Sequence, residues 1–363
     1  MEADRCCEQV GHGCDLCTCG HNRTSNIMRC LLLIVPALAA SSGCVAQNKP
    51  DDYVKSGDAW QRIHEYDKAI ADYKEALRRN PKLAIAYNNR GQAWSQKGEV
   101  DKALADYGQA ILLAPERATP YANRGNIWIK MGEIEKCMAD CNTAIQIDPD
   151  CAVAYAVRGE AWHAKRDHER ALEDFGRALE LERNNATTYN NRGLVWQKKG
   201  EMDKAIDDFN NALWLDPLLA ATYYNRGQSR QANGEIDKAL ADYNKSIQLD
   251  PKVAFPYCTR ADVWNGKGEY DKAIADCDKA LRIDARLSVA SYVRGFARLG
   301  KHEYDKAIAD FDQCLQLDPK YAKAYKSRGD AWTANGDHEK AAADYEQFEQ
   351  LRAKRSQAVP GEL

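Results

Sequence analysis

Tyr87-Asn-Asn-Arg-Gly-Gln-Ala-Trp94 returns almost letter for letter at Tyr189-Asn-Asn-Arg-Gly-Leu-Val-Trp196. Each copy is followed by an Asp-Lys-Ala-Ile type of segment and closes at a proline, Pro115 and Pro217, as most copies do. Read outward, the same 34-residue sentence begins at Pro50, Ala84, Ala118, Ala152, Ala186, Ala220, Ala254, Ser288 and Ala322, nine times without a gap. A fixed period of this length is the signature of a solenoid, in which each unit buries its apolar face only against its neighbours. Such an architecture creates surface rather than a catalytic pocket.

With the residues of each copy numbered 1 to 34, the columns carry the secondary structure. Tyr holds position 4 except at Ser291, Gly holds 8 except at Ala261, and Trp holds 11 except at Arg230 and Arg298 in repeats six and eight. Ala fills 20 except at Cys137, a ring fills 24 except at Cys141 and Cys277, and 27 is mostly Ala. Positions 4, 8 and 11 share one helical face, as do 20, 24 and 27, so each repeat is expected to form two amphipathic helices, A and B. Small residues at 8, 20 and 27 let backbones approach while the rings fill the space beside them. Gly at 15 (Gly98, Gly132, Gly200, Gly234) suits the exit of helix A, and Pro at 32 cannot continue a helix. An acid at 16 in all nine copies favours the dipole at the start of helix B.

These columns resemble the tetratricopeptide repeat family, and the match covers residues 50 to about 353. The resemblance implies an all-α superhelix of nine helix-turn-helix repeats over residues 50–355, with a concave groove lined by positions 2, 5, 6, 9, 12 and 13 of helix A. Repeat nine reads as the cap, with Ala342 where the other copies have a large aliphatic residue or Met and Glu349 where they have Leu or Ile, and 356–363 reads as a disordered tail.

Residues 1–49 stand outside the array. Leu31-Leu-Leu-Ile-Val-Pro-Ala-Leu-Ala-Ala40 is an apolar run too short to span a bilayer, which needs about 20 residues. Behind Met28-Arg29 it has the layout of a secretory signal, so 28–44 is read as a signal peptide and 45–49 as a linker. Ala40-Ser-Ser-Gly-Cys44 resembles a bacterial lipoprotein box, with Ser41 where Leu is usual, and implies lipidation of Cys44. Ordinary signal cleavage and an uncleaved anchor are the competing readings. Residues 1–27 read as untranslated or disordered sequence ahead of a true start at Met28, against a zinc knot built on their five cysteines and two histidines. The cysteines beyond Cys44 fall mostly in packing columns and read as small buried hydrophobes.

With 51 basic against 54 acidic residues the chain has a net charge of −3, and no basic excess points to nucleic acid. Asp or Glu at 18 and Lys or Arg at 19 read as solvated helix starts. Arg at position 7 (Arg90, Arg124, Arg158, Arg192, Arg226, Arg260, Arg294, Arg328) and Asp at 23 (Asp72, Asp106, Asp140, Asp174, Asp208, Asp242, Asp276, Asp310 and Asp344) ask for partners if half-buried. The expectation is a structural ladder, each Arg facing the Asp of the preceding repeat, because repeat one has Ser56 at position 7.

In the groove, position 6 carries Asn89, Asn123, Asn191 and Asn225, and superhelical relatives use asparagines there to hold a peptide backbone. Repeats six to eight add an apolar patch of Tyr224, Phe255, Cys258, Val289, Tyr292, Phe296 and Leu299. Trp214 stands out at position 29. No catalytic, metal or cofactor motif is found, so no enzyme, metal or cofactor is expected. The leading reading is an exported scaffold, lipid-anchored in a bacterial envelope, whose groove binds protein or peptide partners. The alternative is a soluble, cytoplasmic adaptor or co-chaperone-like module.

Overall fold

A computed structural model describes residues 49–357. The segments read as upstream sequence (1–27), signal (28–44, with Cys44) and most of the linker lie outside the described residues. The helices A are α1 (Pro50–Arg62), α3 (Ala84–Gln96), α5 (Ala118–Lys130), α7 (Ala152–Ala164), α9 (Ala186–Lys198), α11 (Ala220–Ala232), α13 (Ala254–Gly266), α15 (Ser288–Gly300) and α17 (Ala322–Ala334). The helices B are α2 (Tyr66–Arg79), α4 (Val100–Leu113), α6 (Ile134–Ile147), α8 (His168–Leu181), α10 (Met202–Leu215), α12 (Ile236–Leu249), α14 (Tyr270–Ile283), α16 (Tyr304–Leu317) and α18 (His338–Gln357). These 18 helices, with no strand among the described residues, form nine helix-turn-helix pairs of a tetratricopeptide-type superhelix. The last helix runs into the expected tail as far as Gln357. Ala342 and Glu349, on its outer side, are exposed.

The A–B turn follows from position 15. Glu99 N–H donates to the Trp94 carbonyl at 3.0 Å, closing helix A across Gly98, whose φ is +78°. This is a glycine-terminated helix end of the six-to-one type. Repeats one, four and eight hold the same conformation with His64, Arg166 and His302 at φ +61° to +62°, a region that L side chains occupy at a cost.

Packing inside a repeat is a ring laid on a glycine. A Cβ built on Gly193 would stand 2.7 Å from the Phe209 ring, and one on Gly227 would stand 2.6 Å from the Tyr243 ring. Position 8 is therefore Gly wherever position 24 is aromatic. The one Ala, Ala261, belongs to repeat seven, where position 24 is the smaller Cys277.

Successive helices A approach one another along most of the array, while among the described residues no two successive helices B do so. The stack therefore curves toward its A side, which becomes the concave face. Helices α5 and α13 sit nearest to the following helix A. Both carry Pro at their third position (Pro120, Pro256). They start from extended backbone at Arg117 and Val253, with ψ of 123° and 124° against 79–95° at the other helices A with a defined cap.

Candidate functional site

The arginine column pairs with the aspartate column, but not in the expected register. Arg90 Nε and Nη2 donate to the Asp106 carboxylate at 2.8 and 2.6 Å, and both residues belong to repeat two. The same fork joins Arg124–Asp140, Arg158–Asp174, Arg192–Asp208, Arg226–Asp242, Arg260–Asp276, Arg294–Asp310 and Arg328–Asp344. The expectation that each Arg faces the Asp of the preceding repeat is corrected: sixteen residues bring position 7 of helix A opposite position 23 of its own helix B. What reaches the preceding repeat is the third edge. In five repeats Nη1 donates to the side-chain oxygen at position 25 of the repeat before: Asn142, Asn210, Asn244, Asp278 and Asp312, at 2.5–2.8 Å. Asp72, whose repeat has Ser56 instead of Arg, keeps a buried Oδ2 with no hydrogen-bond partner.

Position 11 completes this layer in two ways. Where it is Trp, the cation at position 19 lies over the ring at 4.3–4.8 Å, as Lys204 does over Trp196. Where it is Arg, the second guanidinium joins the same carboxylate: Arg230 reaches Asp242 at 2.8 Å and Arg298 reaches Asp310 at 2.9 Å. Burial raises the carboxyl of Asp310, opposed by Arg294 and Arg298.

The position-6 asparagines join neighbouring helices A. Asn89 donates to Asp58 at 2.8 Å and Asn191 to Glu160 at 2.8 Å, each at position 9 of the preceding repeat. Asn123 donates to Asn88 at 3.0 Å and Asn225 to Asn190 at 3.2 Å, at position 5 of the preceding repeat. One donor of each amide is thus committed within the scaffold, and Asn123 is buried, which departs from the picture of four open rungs. Burial raises the carboxyl of Glu160, opposed by Lys130 and by the Asn191 amide.

The apolar patch divides by exposure. Phe255 and Phe296 are 53% and 43% exposed, whereas Cys258 is buried and leaves the surface set. Tyr224, Val289, Tyr292 and Leu299 are half-buried. Tyr224 is held by Thr259 at 3.2 Å and Gln228 at 3.0 Å. Tyr292 packs on Tyr321 and Phe311 with ring centroids 5.0 and 5.9 Å apart. Asp262, at position 9 of repeat seven, has no hydrogen bond or ion pair among the described residues. Although the residue stays exposed to solvent, desolvation by its surroundings raises its carboxyl and Lys323 opposes this.

A second ladder escaped the sequence reading. Position 14 of a repeat reaches the acid at position 18 of the preceding one: Lys97–Asp67, Lys165–Glu135 at 2.7 Å, Lys199–Glu169, Lys267–Asp237 at 3.1 Å and Lys301–Asp271 at 2.5 Å. Asn233 and Asn335 reach Asp203 and Asp305 in the same way. The recurrence of Lys or Asn at 14 was the available signal. Seven of the nine acids at 18, all but Asp101 and Glu339, are thus link partners rather than merely solvated helix starts. Trp214 is 82% exposed. Cys137 and Cys141 lie with sulfurs 4.0 Å apart, and the contact with Cys137, and then burial, raise the Cys141 thiol. Among the described residues no group of three or more side chains could hold a metal ion, and no helix is long and apolar enough to cross a membrane.

Tetratricopeptide repeat models match residues 55–123, 118–151, 186–217, 220–253, 256–286 and 292–357. A comparison with curated proteins returns no match. Similar solved structures include the APC/C hetero-tetramer Cut9–Hcn1, at 15% identity and a TM-score of 0.63, over 77% of this chain and 55% of that one. The chain thus spans about half the length of that relative. They also include pilF of Pseudomonas aeruginosa, at 20% identity and a TM-score of 0.52, over 56% of this chain and 92% of that one. At these identities the likeness is one of fold. With repeat models matching through most of its length and the columns built as described, the chain belongs to the tetratricopeptide repeat family.

Proposed function

We propose that the protein is a non-enzymatic scaffold that binds protein or peptide partners on its concave face, chiefly across repeats six to eight. The tetratricopeptide fold supports a role in protein interaction. The observation that carries the finer reading is the pair Phe255 and Phe296, large rings left half in solvent on the A side, where the other Tyr and Trp rings of the helices A are buried or half-buried. Asp262 beside them adds an acid with no internal partner, so the segment bound there pairs apolar side chains with a cation. Photo-cross-linkers placed at Phe255 and Phe296 are expected to capture partner adducts, and one at exposed Lys74 on helix B is not. Adducts concentrated at Lys74 would overturn the groove reading.

The same proposal places the scaffold outside the cytoplasm, held to a bacterial membrane through a lipid on Cys44. The apolar run at 31–40 and the small residues before Cys44 support this reading. Metabolic labelling with palmitate should mark the wild type and not the Cys44→Ala variant. Label that survives the substitution, or protein found wholly in the cytosol, would sink the anchor.

A further inference from the structure

The Nη1 edge of the arginine column marks a site of a different kind, independent of the groove. In five repeats this edge holds an Asn or Asp oxygen from position 25 of the preceding repeat at 2.5–2.8 Å. In repeats two and four position 25 is Gly108 and Gly176, and a Cβ added at either would meet nothing within 4 Å. The arginines that follow, Arg124 and Arg192, keep their own aspartates on Nε and Nη2 and have no acceptor on Nη1 among the described residues. They are also the most exposed of the column, with side chains at 26% against 15–21% for the other six.

At Gly176 this opening is a cleft of about 390 Å³ between α8 and α9, lined by Gly176, Leu179, Glu180, Arg183, Tyr189 and Arg192. Arg183 stands at position 32, where most repeats have Pro, and has no ion-pair partner among the described residues. The one carboxylate on the wall, Glu180, is already engaged by Arg177 at 3.2 Å. The cleft therefore offers two guanidinium groups with donors to spare, one of them shaped by its own column to receive a side-chain oxygen.

We infer that the Gly176 cleft binds a carboxylate, the Asp or Glu side chain of a bound polypeptide. One oxygen would sit on Arg192 Nη1, where Asp278 and Asp312 place theirs on Arg294 and Arg328, and Arg183 would serve the other. The Gly108 opening has the same seat without an arginine at position 32, where Pro115 stands, and serves as an internal comparison.

The test is titration of the purified protein with acetate at constant ionic strength, followed by NMR of the arginine side-chain N–H signals. In the wild type and in Gly176→Ala, the Arg192 signal should move saturably and by more than the Arg124 signal. In Gly176→Asn, which supplies the oxygen internally, the Arg192 response should fall at least fivefold and Tm should rise. Both substitutions enter open space, so an unchanged circular dichroism spectrum serves as the control for folding. An acetyl-Gly-Asp-Gly-amide peptide separates the sources: binding tighter than acetate supports a polypeptide partner, and binding no tighter overturns that part. An Arg192 response equal in wild type and Gly176→Asn, absent in both, or given by inorganic phosphate but not acetate would overturn the assignment.

Discussion

At the scale of single residues, the fit between positions 8 and 24 decides what each repeat tolerates. Phe209 fills the space that a side chain on Gly193 would need, so Gly193→Ala should cost about 1–3 kcal/mol by overpacking. Repeat seven has solved the same constraint from the other side, with Ala261 above Cys277. Cys277→Phe alone should therefore destabilise, and Ala261→Gly should restore much of the loss. Urea denaturation of the four proteins should give a coupling energy of about 0.5–3 kcal/mol, the range for side chains in contact. Strict additivity would refute the account. His163 supplies a second residue-scale prediction. Its ring lies 5.4 Å from that of His168, and the Nδ1 atoms of both are buried without partners. Burial, and then His168 and Lys198, push the His163 pKa below its ordinary 6.5. The unfolded chain then binds more protons than the folded one just below pH 6.5, so stability is full above that value and falls as the pH drops through the window beneath it. Denaturation midpoints at pH 7.5 and 5.5 should fall further apart in the wild type than in His163→Gln.

At the scale of the helix pair, the buried aspartates join A to B, and the number of guanidinium groups on each carboxylate sets its weight. Asp106 holds Arg90 alone, whereas Asp242 holds both Arg226 and Arg230. Removing one partner of a buried pair costs about 3–5 kcal/mol, and the part-exposed guanidinium groups here bring the expectation for Asp106→Ala down to about 2 kcal/mol. Asp242→Ala strands two arginines and should cost clearly more, as a shift in denaturation midpoint will show. Equal costs would mean that Arg230 contributes nothing to the pair. The ladder also marks how far the sequence could be read. The period fixed every helix start, because an unbroken 34-residue repeat leaves no other phase. It identified Arg at 7 and Asp at 23 as partners, since half-buried charges need each other. It did not fix which repeat supplies the partner, because a column recurs identically in every copy and the register exists only in three dimensions. For the same reason the position-6 asparagines looked like open groove donors. Their acceptors at positions 5 and 9 vary from copy to copy and form no column. The exposure of Phe255 and the burial of Cys258, three residues apart on one helix, depend on the rotation of α13 against its neighbours.

At the scale of the whole array, stability is close to a sum of repeats and junctions, so the weakest junction decides where the molecule opens. The junction between repeats two and three is the least linked. Gly108 offers Arg124 no oxygen, and Met131, half exposed at position 14, leaves Asp101 without the bridge that the corresponding acid makes at every other junction. Helices α4 and α5 pack more loosely than most such neighbours, and a cleft of about 480 Å³ opens beside Pro120. The buried Asn123–Asn88 bond is the polar link that remains there. Repeats six to nine, by contrast, carry both bridges at each of their junctions. Native-state hydrogen exchange should therefore show repeats one and two opening together at a lower free energy than repeats six to nine. The double variant Met131→Lys, Gly108→Asn restores one exposed ion pair and one part-buried hydrogen bond. It should raise the opening free energy of repeats one and two by about 1 kcal/mol, with little effect on repeats six to nine. A wild type in which all nine repeats exchange at a single free energy would show that the missing bridges are immaterial. A variant that stabilises repeats six to nine as much as one and two would show that the gain does not act at this junction.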